Sequence, residues 1–305
     1  MTAALRLGTR GSALALAQAG LVRRALEELG TNVELVEITT SGDARPGREQ
    51  PQATGDKSRF VKEIEQALLA GEVDLAVHSA KDVPGELPPG LAIAGVPERG
   101  DARDALCVSG GATAATVEGL AAGSLEGLPD GARVGTASLR RRAQLLAARP
   151  DLQVSELHGN VDTRLRRLGG AELDAIVLAS AGLARLGRAE GSPVALELMT
   201  PAPGQGCLAL EARSDDARVG ELARRLTDED ALRALTAERA LVVGIGASCR
   251  TPVGAYAALD GGGLRLEAFA GMPDGSRWIR DTVEGSPAEA AALGRAAAER
   301  LLAAG

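Results

Sequence analysis

Short apolar runs that read as strands alternate with longer amphipathic stretches closed by glycine, and this alternation restricts the fold more than any other feature of the chain. Residues 5–7 form a strand candidate, 8–12 a turn, and 13–29 an amphipathic helix stopped by Gly30. Residues 33–39 read as a strand, 58–70 as a helix with Gly71 behind it, and 73–78 and 91–96 as further strands. Such an order predicts an α/β fold with a mainly parallel, doubly wound sheet. The polar segment 97–104 (PERGDARD) breaks the pattern as a first hinge. A second unit follows with a sheet of its own, from strands near 105–108, 133–135, 152–157 and 174–179 and helices near 138–149 and 161–168. The Pro- and Gly-rich 200–206 (TPAPGQG) reads as a second crossing or hinge. Beyond 207–212 and helices over about 215–243, strands joined by turns at 261–263 and 273–276 and a helix near 288–302 suggest a small α+β domain. At 305 residues and 45% apolar content, two or three compact domains are expected.

Only four residues are aromatic (Phe60, Tyr256, Phe269 and Trp278), so the core must be built from Ala, Leu and Val, and little remains for a base- or sugar-stacking platform. A net charge of −7 and a pI near 5.1 argue against a nucleic-acid or anionic-membrane partner. Cys107, Cys207 and Cys249 are too far apart for metal spacing and odd in number, which fits a reduced cytoplasm rather than a disulfide framework. The start MTAALRLGTRGS carries no basic stretch followed by an apolar run, and no apolar segment reaches the roughly 20 residues of a membrane span. The expectation is a cytoplasmic protein without an export signal.

Polar groups fall just past the carboxyl ends of three predicted strands: Arg10 and Ser12, Lys81 and Asp82, Arg140 and Arg141. In open parallel sheets the ligand crevice lies at those ends. From Ser138 to Leu168, seven arginines stand against three acids, a local charge of +4 in an acidic protein. Arginine's planar fork holds carboxylates bidentately, so a ligand bearing several carboxylates fits this segment, while Arg142, Arg149, Arg166 and Arg167 read as ordinary helix surface. Cys249, in the small-residue loop GASCRTPVG beside Arg250, has room to be a reactive thiol; Cys107 and Cys207 lie within apolar strands as small hydrophobes.

The segments LGTRGSALALAQA (7–19), FVKEIEQALLAGEVDLAVHSAKDVP (60–84), VGTASLRRRAQLLAARPDL (134–152), HGNVDTRL (158–165), PAPGQGCLALEAR (201–213) and GASCRTPVGAYA (246–257) resemble, in order, the signature segments of porphobilinogen deaminases. The resemblance implies two domains like those of periplasmic binding proteins, 1–98 with 207–220 and 103–200, and a third, 221–305, that bears a covalent cofactor. That cofactor is a dipyrromethane joined by a thioether to the loop cysteine, Cys249 here. It primes the addition of four porphobilinogen units with loss of ammonia, and hydrolysis releases hydroxymethylbilane, a precursor of haem. By the same resemblance Asp82 faces the pyrrole nitrogens, where a carboxylate can stabilise the cationic methylene-pyrrole and take up the proton lost on rearomatisation. Arg10, Ser12, Lys81, Arg140, Arg141, Arg164 and Arg185 are implied to hold acetate and propionate groups, and Phe60 to be a lid phenylalanine. The family is expected to be monomeric.

Two departures stand out. His158 occupies a position where the family usually has arginine, which makes one carboxylate contact depend on an imidazole. The usual GGKG of the lid is Gly55-Asp56-Lys57-Ser58, which removes glycine's backbone freedom at two positions. The alternative reading is a non-catalytic paralogue that binds tetrapyrroles or anionic metabolites.

Overall fold

A computed structural model describes residues 4–40, 61–110, 123–170, 172–247 and 251–305. Its strands are β1 (Leu5–Arg10), β2 (Val33–Ile38), β3 (Leu75–Ser79), β4 (Leu91–Gly95), β5 (Asp104–Val108), β6 (Arg133–Gly135), β7 (Gln153–Ser155), β8 (Ala175–Ala179), β9 (Ser192–Pro193), β10 (Leu208–Arg213), β11 (Val253–Asp260), β12 (Gly263–Gly271) and β13 (Trp278–Gly285). The α-helices are α1 (Ala13–Glu28), α2 (Lys62–Leu69), α3 (Leu139–Ala148), α4 (Val161–Leu168), α5 (Ser180–Arg185), α6 (Ala217–Arg225), α7 (Glu229–Ile245) and α8 (Ala290–Ala304). The chain forms two compact units, Met1–Arg99 with Cys207–Leu235, and Gly100–Gly206 with Thr236–Gly305.

The first unit holds a five-stranded sheet in the order β2-β1-β3-β10-β4. β1 pairs in parallel with β2 and β3, while β10 runs antiparallel to β3 and β4. Apolar residues face both ways: Leu75 and Val77 of β3 join a core with Leu26 of α1 and Val219 of α6, whereas Ala76 packs with Ile64 and Leu68 of α2. Burial on two faces is what a near-continuous apolar strand requires, and it makes this sheet doubly wound.

The second unit repeats the plan as β7-β6-β8-β5-β9, with β6 parallel to β7 and β8 and with β5 as the antiparallel strand. The two sheets even open with the same clasp. Arg6 donates through its backbone N–H (2.9 Å) and its guanidinium (2.7 Å) to Asp74, and Arg133 does the same to Asp174 (2.8 and 2.9 Å). The return bonds, Asp74 N–H to Arg6 O and Asp174 N–H to Arg133 O, are both 2.9 Å, so each clasp locks the amino ends of two parallel strands in register. The sequence carries this duplication as RLGT (6–9) with EVD (72–74) and RVGT (133–136) with ELD (172–174).

The second unit also contains the antiparallel sheet β11-β12-β13. Its core includes Phe269, which stacks on Trp278 at 6.4 Å between ring centroids.

The helices expected over 215–243 are α6 and α7: Thr227 Oγ1 closes α6 on Ala223 O (3.0 Å), and Asp228 caps α7 by accepting from Ala231 N–H (2.8 Å). The helix expected over 58–70 is described from Lys62. Helix α5 and strand β9 were not foreseen, being too short for a period to declare itself.

Candidate active site

In the first unit, the parallel pairing of β1 with β3 brings the segments that follow them to one edge of the sheet. Arg10 ends β1, Ser12 caps α1 by accepting from Ala15 N–H (3.3 Å), and Lys81 and Asp82 lie in a 3₁₀ turn directly after β3. All four are half-buried. The turn is fixed from beneath. Ala80 N–H donates to Cys207 O (3.1 Å), Val83 N–H to Ala80 O (3.2 Å), and Gln18 Nε2 to Ser79 Oγ (2.9 Å). Phe60 and the altered lid motif lie outside the described residues.

In the second unit the same edge carries Arg140 and Arg141 after β6, His158 and Arg164 after β7, and Arg185 in α5 after β8. Arg140 and Arg141 are buried, and both engage Asp104, which opens β5. Arg140 donates to Asp104 Oδ2 (2.7 Å) and to Thr200 O (2.7 Å). Arg141 donates through Nε to Asp104 Oδ1 (2.9 Å) and through Nη1 to Val177 O (2.8 Å). Gln205 adds a bond from Nε2 to Asp104 Oδ1 (2.9 Å). Burial pushes the Asp104 carboxyl up, but the two guanidiniums and these hydrogen bonds outweigh it and hold the group far below the usual carboxylate range.

Sequence reasoning missed Asp104 and Gln205. Asp104 sits in a run of charges that reads as a hinge, and Gln205 in a glycine-proline segment that reads as a crossing. The chain does pass from the second unit to the first after Gly206, and 200–206 is in addition a buried hub: Thr200 N–H donates to Gln144 Oε1 (2.8 Å), Gln205 Nε2 to Ala102 O (2.7 Å), and Gly100 N–H and Arg185 Nη2 to Gly206 O (3.1 and 2.6 Å). Gly206 has φ +89°, and a Cβ there would lie 2.4 Å from Gly100 O, so only glycine fits.

Two buried guanidiniums against one carboxylate leave a local charge of +1, and Arg140 Nε is a buried N–H without a hydrogen-bond partner among the described residues. That donor set suits a carboxylate-bearing group such as a dipyrromethane. Arg164 Nε donates to Gly159 O (2.7 Å), and exposed His158 lies 3.0 Å from Glu156. Cys249 lies outside the described residues. Cys107 and Cys207 are buried, and burial pushes the Cys107 thiol up to about 11, a packing residue rather than a nucleophile.

A second buried polar cluster lies in the first unit. His78 Nε2 of β3 is 2.9 Å from Glu211 Oε2 of β10, close enough for an ion pair but without hydrogen-bond alignment. Glu65 of α2 feels both charges. Burial, then Glu211, raises its pKa, and His78 offsets this in part. Among the described residues no group of three acids, histidines or cysteines is arranged to hold a metal, and no helix is long and apolar enough to cross a membrane.

Residues 5–221 match the family profile described as porphobilinogen deaminase, dipyromethane cofactor binding domain, and residues 232–303 match porphobilinogen deaminase, C-terminal domain. The porphobilinogen deaminase of Roseiflexus castenholzii is 49% identical, covering 100% of this chain and 98% of that protein. Those of Deinococcus radiodurans and Geobacter metallireducens are 46% and 45% identical, covering 97% and 99% of this chain and 94% and 92% of theirs. Among solved structures, the methionine-binding protein MetQ aligns over 73% of this chain and 89% of that chain at 14% identity, with a TM-score of 0.43.

Proposed function

The chain belongs to the porphobilinogen deaminase family, and from that premise we propose which of its residues perform each part of the reaction. It is a transferase that joins four porphobilinogen units with loss of ammonia and releases hydroxymethylbilane. The dipyrromethane, when bound, supplies the pyrrole carbon that accepts the first unit. Its attachment point is Cys249.

Asp82 is the catalytic group. When the aminomethyl group of porphobilinogen leaves as ammonia, the remaining methylene-pyrrole is cationic, and the Asp82 carboxylate stabilises that charge through the pyrrole N–H. A carbon–carbon bond then forms, and the proton displaced from the attacking pyrrole carbon passes to the same carboxylate. The turn that holds Asp82 is anchored to Cys207, Gln18 and its own backbone, so the backbone that carries the carboxylate is fixed before substrate arrives. In the first unit Arg10, Ser12 and Lys81 hold acetate and propionate groups, and Phe60 covers a pyrrole ring. In the second unit Arg140 and Arg141 bind cofactor carboxylates, and Arg164, Arg185 and His158 bind those of the substrate. The observation that carries this reading is the +1 charge of the buried arginine pair beside Asp104 together with the Arg140 Nε–H, which has no hydrogen-bond partner among the described residues.

We divide the chain functionally into 1–98 with 207–220, 103–200 and 221–305; its three separate sheets support three parts, while the compact unit around the first sheet extends to Leu235, past the 220/221 boundary within α6. The enzyme is assigned to the cytoplasm as a monomer without a nucleic-acid partner, in keeping with its acidic charge and the absence of a membrane-length helix among the described residues.

Intact-mass measurement tests the assignment. The purified protein should exceed its 31.0 kDa chain by one two-ring pyrrole adduct, which Cys249→Ser lacks and Cys107→Ser and Cys207→Ser retain. Asp82→Asn should keep the adduct while losing on the order of 10²–10³ in turnover. An adduct surviving Cys249→Ser, or a half-active Asp82→Asn, refutes the respective role.

A further inference from the structure

We propose that Glu238 is a positioning residue for the cofactor-bearing loop: it clamps the strand that leaves that loop to the backbone segment against which Arg140 is held. The inference rests on the reading that Cys249 carries the primer and that Arg140 and Arg141 hold its carboxylates.

Glu238 lies in the part of α7 that belongs to the second unit and is completely buried. Its two oxygens serve two different elements. Oε2 accepts from Gly204 N–H at 2.6 Å, and Oε1 accepts from Ala257 N–H of β11 at 2.7 Å. Burying a carboxylate is costly unless its oxygens are hydrogen-bonded, and these short charge-assisted bonds meet that requirement. Glutamine offers one acceptor and, in place of the other, an NH₂ that would confront an N–H. Only a carboxylate joins both backbones at once.

The join sits where the reading needs it. β11 begins at Val253, four residues after Cys249. It is laid closely on the 200–206 segment. Ala255 N–H donates to Pro201 O at 2.9 Å, and a Cβ on Gly254 would meet Thr200 O at 2.8 Å, so glycine permits the approach. The same Thr200 O accepts from Arg140 Nη1 at 2.7 Å and from Gln144 Nε2 at 3.0 Å. One backbone segment therefore separates the strand that emerges from the cysteine loop from the guanidinium of Arg140. Glu238 and the Ala255–Pro201 bond fix the strand on one side, and Gln144 and Arg140 fix the carbonyl on the other. A primer tethered at Cys249 and gripped through its carboxylates can reach both anchors only if that spacing is held.

The test compares adduct occupancy by intact mass, porphobilinogen turnover and melting temperature in the wild type, Glu238→Gln, Glu238→Asp, Gly254→Ala and Val219→Ala. The last is a truncation in the core of the first sheet, a control for stability loss alone. At limiting porphobilinogen, Glu238→Gln should carry about tenfold less adduct than the wild type, the consequence of losing one charge-assisted contact. Glu238→Asp, which keeps both acceptor oxygens, should recover part of it. Gly254→Ala should lose adduct without any change of charge, and it decides the matter if Glu238→Gln does not fold. Val219→Ala should keep full occupancy despite a lower melting temperature. Full occupancy in Glu238→Gln or in Gly254→Ala, or an equal loss in Val219→Ala, overturns the proposal. An adduct missing from the wild type overturns the reading beneath it instead.

Discussion

The two five-stranded sheets share one plan, each with a single antiparallel strand that carries a buried carboxylate, yet the two carboxylates live under opposite conditions. Asp104 on β5 pairs in register with Ala179, the last residue of β8, and so sits at the edge where arginines arrive from α3. Glu211 on β10 pairs with Ala76 within β3 and faces His78 and Glu65. Both oxygens of Asp104 accept hydrogen bonds, whereas both oxygens of Glu211, together with His78 Nε2 and Glu65 Oε1, have none among the described residues. A carboxylate buried at a sheet's carboxyl edge can be met by helix N-termini and long side chains from the next segment. One buried mid-strand finds only what the facing helix brings. The first arrangement satisfies its carboxylate; the second leaves buried polar atoms without hydrogen-bond partners among the described residues.

Removing Asp104 should break the comparison most severely. Asp104→Asn leaves two guanidiniums buried without their anion, which should cost about 3–5 kcal/mol in urea unfolding at pH 7. Because the folded Asp104 carboxyl is held low, its contribution is present above the ordinary aspartate range and is lost only as pH falls through the depressed folded value. The gap between mutant and wild type should therefore persist to about pH 4, where free aspartate is already half protonated. A mutant within 1 kcal/mol of the wild type would show that the pair is not held by this carboxylate.

The first-unit cluster should answer with the opposite sign. Burial and then the charge of Glu211 raise the Glu65 pKa, so the folded chain holds that proton more tightly than the unfolded chain. The resulting stability is present in acid and is lost as pH rises through the raised value. Glu65→Gln, which cannot lose the proton, should be more stable than the wild type at pH 8 by on the order of 1 kcal/mol, with the two curves converging towards pH 4. Parallel curves across that range would remove Glu65 from the cluster.

His158 supplies the exposed counterpart, where solvent screening should make the effect smallest. It and Glu156 are 68% and 75% exposed, so a substrate carboxylate there contributes about 0.2–1 kcal/mol, or a KM change of about fivefold or less. A guanidinium can hold a carboxylate bidentately where an imidazole cannot, so His158→Arg should lower KM, and His158→Ala raise it, by no more than that factor. An unchanged KM in both variants would place His158 outside substrate binding and leave it paired with Glu156 alone.

Much of this was readable in one dimension. Strand and helix alternation, Gly30 and Gly71 behind their helices, and apolar 75–77 specified the sheets, because periodicity reports burial directly. Arg10, Asp82 and Arg140 could be placed past strand ends for the same reason, whereas Arg185 came only from the family resemblance. The duplicated RLGT/EVD and RVGT/ELD segments were equally visible but mute, since a clasp between residues 68 and 41 apart has meaning only once their strands are neighbours.

By itself the sequence determined the α/β class, the family, the cofactor chemistry and the candidate groups, all of which depend on residue type and local order. Only the tertiary structure decided that Asp104 holds both arginines, that the crossing segment 200–206 is also a buried hub, and that Glu238 bridges it to β11. Those outcomes depend on which distant polar atoms are buried together. Burial obliges them to find partners, and no local pattern can state which partners the fold will supply.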